Sequence, residues 1–313
     1  MEMLSSSPSS ARLYALLLKL RPLERGTLMP FSGELVHAAF LDWVRVAAPD
    51  VAEWLHEGNK LRLFTCSSLG FPLPPTRMRE AERENTHLPL DPTKTYTVRI
   101  TLLRGELFPL LYQALLRFDT SKQDITQPFM RLGKQGFALE EVSTTDTSGW
   151  TGFTSYTDLI EQAKTYKGSG SLQMAFASLT AFSWTNKQYG NYYANMPLPQ
   201  YIFPMSAKRW QMVAPPALAS VVQPEKIEQY VRDDGMVISE YNLHSHIVTF
   251  PRHPQRGFVG TCRYLLRRAE HETTEVENDQ LSVQQQVMLL AHFAFYSGIG
   301  YKTAMGMGQV RVL

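Results

Sequence analysis

The chain has 313 residues, of which 44% are hydrophobic and 19% charged, and its 31 cationic and 29 anionic side chains leave a formal net charge of +2. That composition excludes a disordered or fibrous chain, and at roughly 150 residues per domain the length predicts two domains, each with its own core. So small a net charge excludes a nucleic-acid binder built on global charge, and any phosphate-binding surface has to be local.

The longest unbroken apolar run, Leu13 to Leu18, falls far short of the ~18 residues that cross a membrane. Met1 to Ser10 has neither the basic start nor the apolar core of a secretory signal. Both observations predict a cytoplasmic protein. Cys66 and Cys262 lie 196 positions apart without a second ligand at metal spacing, which predicts two reduced core thiols and no metal site.

In chain order, Leu13 to Leu20 is a leucine-rich run closed by Arg21-Pro22 and reads as a buried strand. Leu35, Ala39 and Trp43 then run beside Val36, Phe40 and Val44 at helical spacing, predicting an amphipathic helix capped by Ser32. A second helix is expected from Pro49-Asp50 to Leu55, followed by a Gly58-Asn59 turn and a strand over Leu61 to Thr65. Residues 70–94, with five prolines and many charges, read as a loop. A strand over Tyr96 to Leu103, a helix over Gly105 to Phe118 and a strand over Phe137 to Val142 complete a βαββαβ order, the ferredoxin-like or RNA-recognition-motif arrangement.

The Gly/Ser joint Lys167-Gly168-Ser169-Gly170-Ser171 predicts a boundary between domains at 1–166 and 167–313. Beyond it, strands are expected at Leu172 to Leu179, Met236 to Tyr241, His246 to Phe250 and Phe258 to Leu266. A helix over Ser282 to Tyr296 follows, opened by a Ser282/Gln285 capping box, and then a terminal strand.

The end of that last helix carries four glycines in eleven residues, Gly298, Gly300, Gly306 and Gly308, with Lys302 among them and Gln309 after them. Such a loop reads either as a phosphate cradle of exposed backbone amides or as a glycine cap followed by a tight turn. Its order of helix, loop and strand fits neither a P-loop nor a dinucleotide fingerprint. His56, near Lys60 and Arg62, and His37, at the border of the first helix's apolar stripe, are candidates for proton transfer beside a phosphodiester. Arg252, Arg256, Arg263, Arg267 and Arg268 cluster around Gly257-Phe258-Val259-Gly260. They read either as an RNA-backbone patch or as a solvated face neutralised by the acids between Glu270 and Asp279.

Collectively these residues resemble the CRISPR-associated endoribonucleases of the RAMP superfamily, which cut repeat RNA into guide RNAs. The Gly298 to Gly308 loop, between a helix and a last strand, is similar to that family's glycine-rich signature. Leu55-His56-Glu57 followed by Leu63-Phe64-Thr65 resembles the segment bearing its active-site histidine. Phe176 to Phe182 resembles the opening strand of its second domain, with Leu179 where the family usually has proline. Tyr201-Ile202-Phe203 through Arg209-Trp210 and the Gly257 to Gly260 turn also match, so the resemblance spans Leu13 to Leu313.

What the resemblance implies is an α+β fold of two tandem ferredoxin-like domains and a metal-independent endoribonuclease that needs no cofactor. Its partner would be CRISPR repeat RNA, with other effector-complex subunits as further partners. The ribose 2′-OH attacks the adjacent phosphate in that family, leaving a 2′,3′-cyclic phosphate and a 5′-OH. By motif His56 is the first candidate catalyst. The family's frequent use of a histidine on the first helix keeps His37 beside it, and Lys60 and Arg62 would stabilise charge. Some members carry a tyrosine near Leu41 on that helix, and this chain has none there. The glycine loop with Lys302 would hold the RNA backbone. The competing expectations are a non-catalytic RNA-binding subunit of a CRISPR effector complex, and an unrelated ferredoxin-like RNA-binding or scaffold protein.

Overall fold

The computed structural model describes residues 11–56, 63–117, 129–167, 170–250, 253–268 and 280–313. The chain forms two compact units. The first takes the chain up to Phe153 together with Ile247–Gln255 and Lys302–Met307; the second takes Thr154–His246, Arg256–Tyr301 and Gly308–Leu313.

The first unit contains β1 (Arg12–Pro22), β2 (Gly26–Leu28), α1 (Gly33–Ala47), α2 (Pro49–His56), β3 (Phe64–Cys66), α3 (Pro75–Glu84), β4 (Leu88–Leu90), β5 (Tyr96–Leu102), α4 (Leu107–Arg117), β6 (Met130–Leu132), β7 (Gln135–Ser143) and β8 (Gly152–Ser155). Leucine at 13, 16, 18 and 20 makes β1 the buried centre of a sheet ordered β3-β5-β1-β7-β6. Leu18 pairs with Val98 of β5 on one side and Val142 of β7 on the other, both antiparallel. Taken in sequence, β1, α1, β3, β5, α4 and β7 have the βαββαβ order, and the sheet places the third strand beside the first. That is the ferredoxin-like topology.

The second unit repeats it with α5 (Tyr156–Lys164), β9 (Gly170–Thr180), β10 (Phe182–Asn186), β11 (Gly190–Ala194), α6 (Pro199–Val213), α7 (Pro216–Ala219), α8 (Pro224–Arg232), β12 (Met236–Thr249), β13 (Pro254–Leu266), α9 (Val283–Ser297) and β14 (Val310–Val312). Its main sheet is ordered β12-β13-β9-β14, again with the third strand next to the first. The helices pack through Trp210, which lies 5.1 Å from the Tyr156 ring and 5.2 Å from that of Phe293, both edge-on. Such contacts add to the burial of large rings. Among the described residues no helix is long and apolar enough to cross a membrane.

Three expectations are corrected. Residues 70–94 hold α3 and β4 as well as loop, because Pro75 stands in the first turn of a helix, where a proline costs no hydrogen bond, and Asn85 ends it at φ 53°. The two strands expected between Met236 and Phe250 are one continuous strand, β12. Ser32 stands at the N-cap position of α1 but makes no cap bond; its hydroxyl accepts from the Leu69 amide at 2.9 Å instead. Ser282 does cap α9, with Gln285 completing the capping box.

The two serines should therefore fail differently. Ser282→Ala is expected to lower stability by about 1 kcal/mol, the usual worth of a cap. Ser32→Ala strands the buried Leu69 amide and is expected to cost about 1–3 kcal/mol. Urea unfolding of both variants measures the difference.

Candidate active site

Gly33 and His37 lie four residues apart on α1, and so share one face about a turn apart. Against this face, within the first unit, sits a short 3-10 turn, Thr303–Met305, at the tip of the glycine-rich segment. The approach is close enough that a Cβ on residue 33 would stand 2.1 Å from the Met305 carbonyl oxygen. Glycine is the residue that fits there. Gly306 leaves the turn at φ +93°, and its amide donates to the Cys66 carbonyl at 3.0 Å, tying the turn to β3 as well.

That placement determines the state of His37. The side chain is 9% exposed, and its Nδ1 lies 3.1 Å from the Ala304 carbonyl oxygen. A carbonyl can only accept, so Nδ1 carries the proton, and in the neutral ring Nε2 carries the lone pair. Phe64 stacks on the imidazole at 5.3 Å and 21° between planes, and Phe40 backs Phe64 at 4.3 Å. The ring is thus held in tautomer and in plane, the condition for a positioned general base.

Lys302 precedes the turn in the left-handed region, at φ 55°, where a side chain costs roughly 1–2 kcal/mol that glycine would not. Its ammonium lies 3.6 Å from the centre of the Phe250 ring and 3.9 Å from a carboxylate oxygen of Glu34, in the first turn of α1. The side chain clamps the turn to the helix that carries His37.

Eight amides of the glycine-rich segment are bonded internally. Gly298, Ile299, Tyr301, Met305, Gly306, Met307 and Gly308 donate to backbone carbonyls, and the Gln309 amide donates to the Ser178 hydroxyl. Gly298, Gly300 and Gly308 also have positive φ. Of the two readings of this loop, the cap and tight turn describes these bonded amides.

Of the other predicted residues, His56 is the last residue of α2, and its side chain lies outside the described residues, as do Lys60, Arg62, Arg252 and the acids 270–279. In the second unit Arg256 and Arg268 are exposed. Arg263 is engaged by Glu240 at 3.4 Å and by Gln173 at 2.9 Å, and Arg267 donates to the Asp234 carbonyl at 3.3 Å. His246 is buried, and burial pushes the His292 imidazole below its ordinary pKa. Both cysteines are free and buried, and burial pushes the Cys66 thiol far up. No metal-holding group of three His, Cys, Asp or Glu occurs among the described residues.

Residues that sequence reasoning missed are Gly33, Glu34, Phe64 as the stacking partner, Phe250 and Ala304. Only Gly33, directly after Ser32 at a helix start, left a visible signal.

Comparison with known proteins matches residues 13–161 to the CRISPR Cas6 N-terminal domain and residues 174–310 to CRISPR-associated endoribonuclease Cas6. No curated protein matches the sequence. Among solved structures, a product complex of Cas6 (TTHB231), a protein of Thermus thermophilus, superposes with a TM-score of 0.70 at 22% identity, over 97% of this chain and 100% of that one. A product complex of Cas6 (TTHA0078) does so at 0.65 and 21%, over 96% and 99%. A histidine-to-alanine mutant of the latter gives 0.63 and 21%, over the same shares.

Gly33→Ala forces the turn off α1. The variant is expected to lose about 1–3 kcal/mol, the usual cost of overpacking, and to show faster hydrogen exchange at the Gly306 amide than at the Gly308 amide. Exchange at the Gly306 amide unchanged from the unaltered chain would contradict the contact.

Proposed function

The chain belongs to the family of CRISPR-associated Cas6 endoribonucleases, and from that membership we propose that it cleaves CRISPR repeat RNA with the ribose 2′-OH as nucleophile and without a metal ion. The observation that carries the chemistry is the hydrogen bond from His37 Nδ1 to the Ala304 carbonyl. It leaves Nε2 as the basic nitrogen on a ring that Phe64 holds in plane.

In this reading Nε2 of His37 takes the proton from the 2′-OH. The 2′-oxygen forms a bond to the neighbouring phosphorus, the bond from phosphorus to the 5′-oxygen breaks, and the leaving oxygen takes up a proton. The products are a 2′,3′-cyclic phosphate and a 5′-OH. Once protonated, the imidazolium is stabilised by the same carbonyl, because a hydrogen bond from a charged donor is roughly twice as strong as a neutral one. The carbonyl therefore contributes more after proton transfer than before it, which is how a positioned group lowers a barrier. Two protons move. We assign the first to His37; His56 is the candidate for the second, with Lys60 and Arg62 as candidates for stabilising the phosphorane charge. Gly306 serves by shaping the turn that presents Ala304. The exposed Arg256 and Arg268 are candidates for contact with the RNA backbone. The partner in this reading is the repeat RNA. Product complexes of the two Cas6 relatives and a histidine-to-alanine mutant of one support it.

The test is cleavage of repeat RNA in EDTA, beside a copy with a single 2′-deoxy at the cut. The native RNA should be cut to a cyclic phosphate and the deoxy copy left intact. His37→Ala should slow the cut by about 10²- to 10⁴-fold, the range for a general base, and His56→Ala should slow it too. Cleavage at the unaltered rate by His37→Ala would overturn the assignment. Tight binding without any cut by the unaltered chain would make it a non-catalytic RNA-binding subunit.

A further inference from the structure

In the second unit β10 and β11 form a two-stranded hairpin that belongs to no larger sheet. Two strands alone are marginally stable in water, so something must hold this ribbon. On one face the cross-strand pair Trp184 and Tyr192 stack at 5.5 Å, and Trp184 leans on Tyr201 of α6 at 4.6 Å, with Phe182 buried beneath. On the other face Tyr193 meets Tyr301 at 6.1 Å. The aromatic rows anchor the hairpin, which is a reason for Trp184, Phe182 and Tyr201.

They do not account for what the ribbon leaves in water. Tyr189 at the tip is 79% exposed, Tyr192 47% and Tyr193 41%. Three tyrosines on thirteen residues thus leave ring area in water, Tyr192 and Tyr193 on opposite faces of the ribbon and Tyr189 at its tip. The residues between them point to the partner. From Phe182 to Met196 there is no Asp or Glu; the polar side chains are Lys187 and the amides Asn186, Gln188, Asn191 and Asn195, with Ser and Thr. Asn186 uses its side-chain oxygen to accept from the Gln188 and Tyr189 amides, which fixes the turn and raises Tyr189 on it. Rings with free faces, amides that can read base edges, one cation and no acid are the groups that hold unpaired nucleotides.

We propose that this hairpin is a stacking platform for unpaired bases of the RNA, with Tyr189 and Tyr192 as the ring contacts and Lys187 on a phosphate. The proposal rests on the reading of the chain as a repeat-RNA nuclease and adds to it a subsite for single-stranded sequence. Hydrogen bonds from Asn191 are secondary in it, because its side-chain oxygen already accepts from the Thr185 hydroxyl at 2.8 Å.

The experiment is fluorescence anisotropy of the full chain with an uncleavable repeat RNA, 2′-deoxy at the cut, made once with its single-stranded flanks and once trimmed to the paired stem. Tyr189→Ala and Tyr192→Ala should each weaken binding of the flanked RNA by about five-fold or more, the loss of one base stack. Binding of the trimmed stem should be unchanged. Tyr192→Phe keeps the ring and should bind as the unaltered chain does. Lys187→Gln should reduce the salt slope by about 0.7, one phosphate contact on a single strand. Tyr189 is so exposed that its removal leaves the fold intact, which near-UV circular dichroism checks. Unchanged affinity for the flanked RNA in the Tyr189→Ala/Tyr192→Ala double variant would overturn the proposal. If the unaltered chain neither binds nor cuts repeat RNA, the broader reading fails; if it does both and only the hairpin variants are silent, the platform alone fails.

Discussion

The contact on which the candidate site depends is a near collision of two backbones. At Gly33 the first turn of α1 comes so close to the Met305 carbonyl that no side-chain atom fits between them. From this approach the other features follow in order. Gly306 takes a positive φ so that its amide can turn to Cys66. Lys302 accepts a left-handed backbone, a conformation held only where surrounding contacts over-determine it, and its ammonium supplies such contacts at Glu34 and Phe250. Ala304 then presents its carbonyl to His37. Each of these is a modest interaction, worth about 1 kcal/mol when neutral and more when charged. Together they select one tautomer of one histidine.

This arrangement explains why a loop so rich in glycine need not be a phosphate cradle. Glycine gives a backbone two separate freedoms: an amide exposed to a ligand, or a close approach to another backbone. Here the amides at 298, 306 and 308 are bonded within the protein, and the close approach is what the glycine at 33 and the positive φ at 306 provide. The loop acts on the site through a carbonyl that accepts.

How much of this could be read from the sequence depended on whether a signal was local. The alternating leucines of β1, the double apolar row of α1 and the capping box of α9 are short-range patterns, and each marks its element. The first ferredoxin-like unit was legible from such elements in order. The second was not, because α6 and α8 went unpredicted and β12 was split in two, and its fold followed only from the family resemblance. α3 was not legible either, because prolines were counted as breakers when one of them opens a helix, and Ala81 alone of its side chains is buried. Ser32 misled because a cap residue type was read as a cap bond, while its hydroxyl was drawn to an amide 37 positions away. His37 and His56 could not be separated, since the carbonyl that orients His37 lies 267 positions further along the chain. No periodicity reports a contact of that range. The family resemblance brought the glycine loop and the first helix under the same activity, yet it named the loop for its amides.

The two units share a topology and differ in their connections, among them the one between first strand and first helix. In the first unit that connection runs from β1 through β2 to Gly33, and it delivers the helix start that receives the Thr303–Met305 turn. In the second it runs from β9 through the β10–β11 hairpin to Pro199 and sets tyrosines in solvent. The sheet core of the first unit buries Leu16, Leu18, Val98 and Ile100, that of the second Leu172, Met174, Phe176 and Tyr264, and a sheet so buried has little freedom to change. A connection on the surface tolerates insertion and carries the residues that meet a ligand. Chemistry at the one junction and recognition at the other is therefore a division that this fold can support without altering either core.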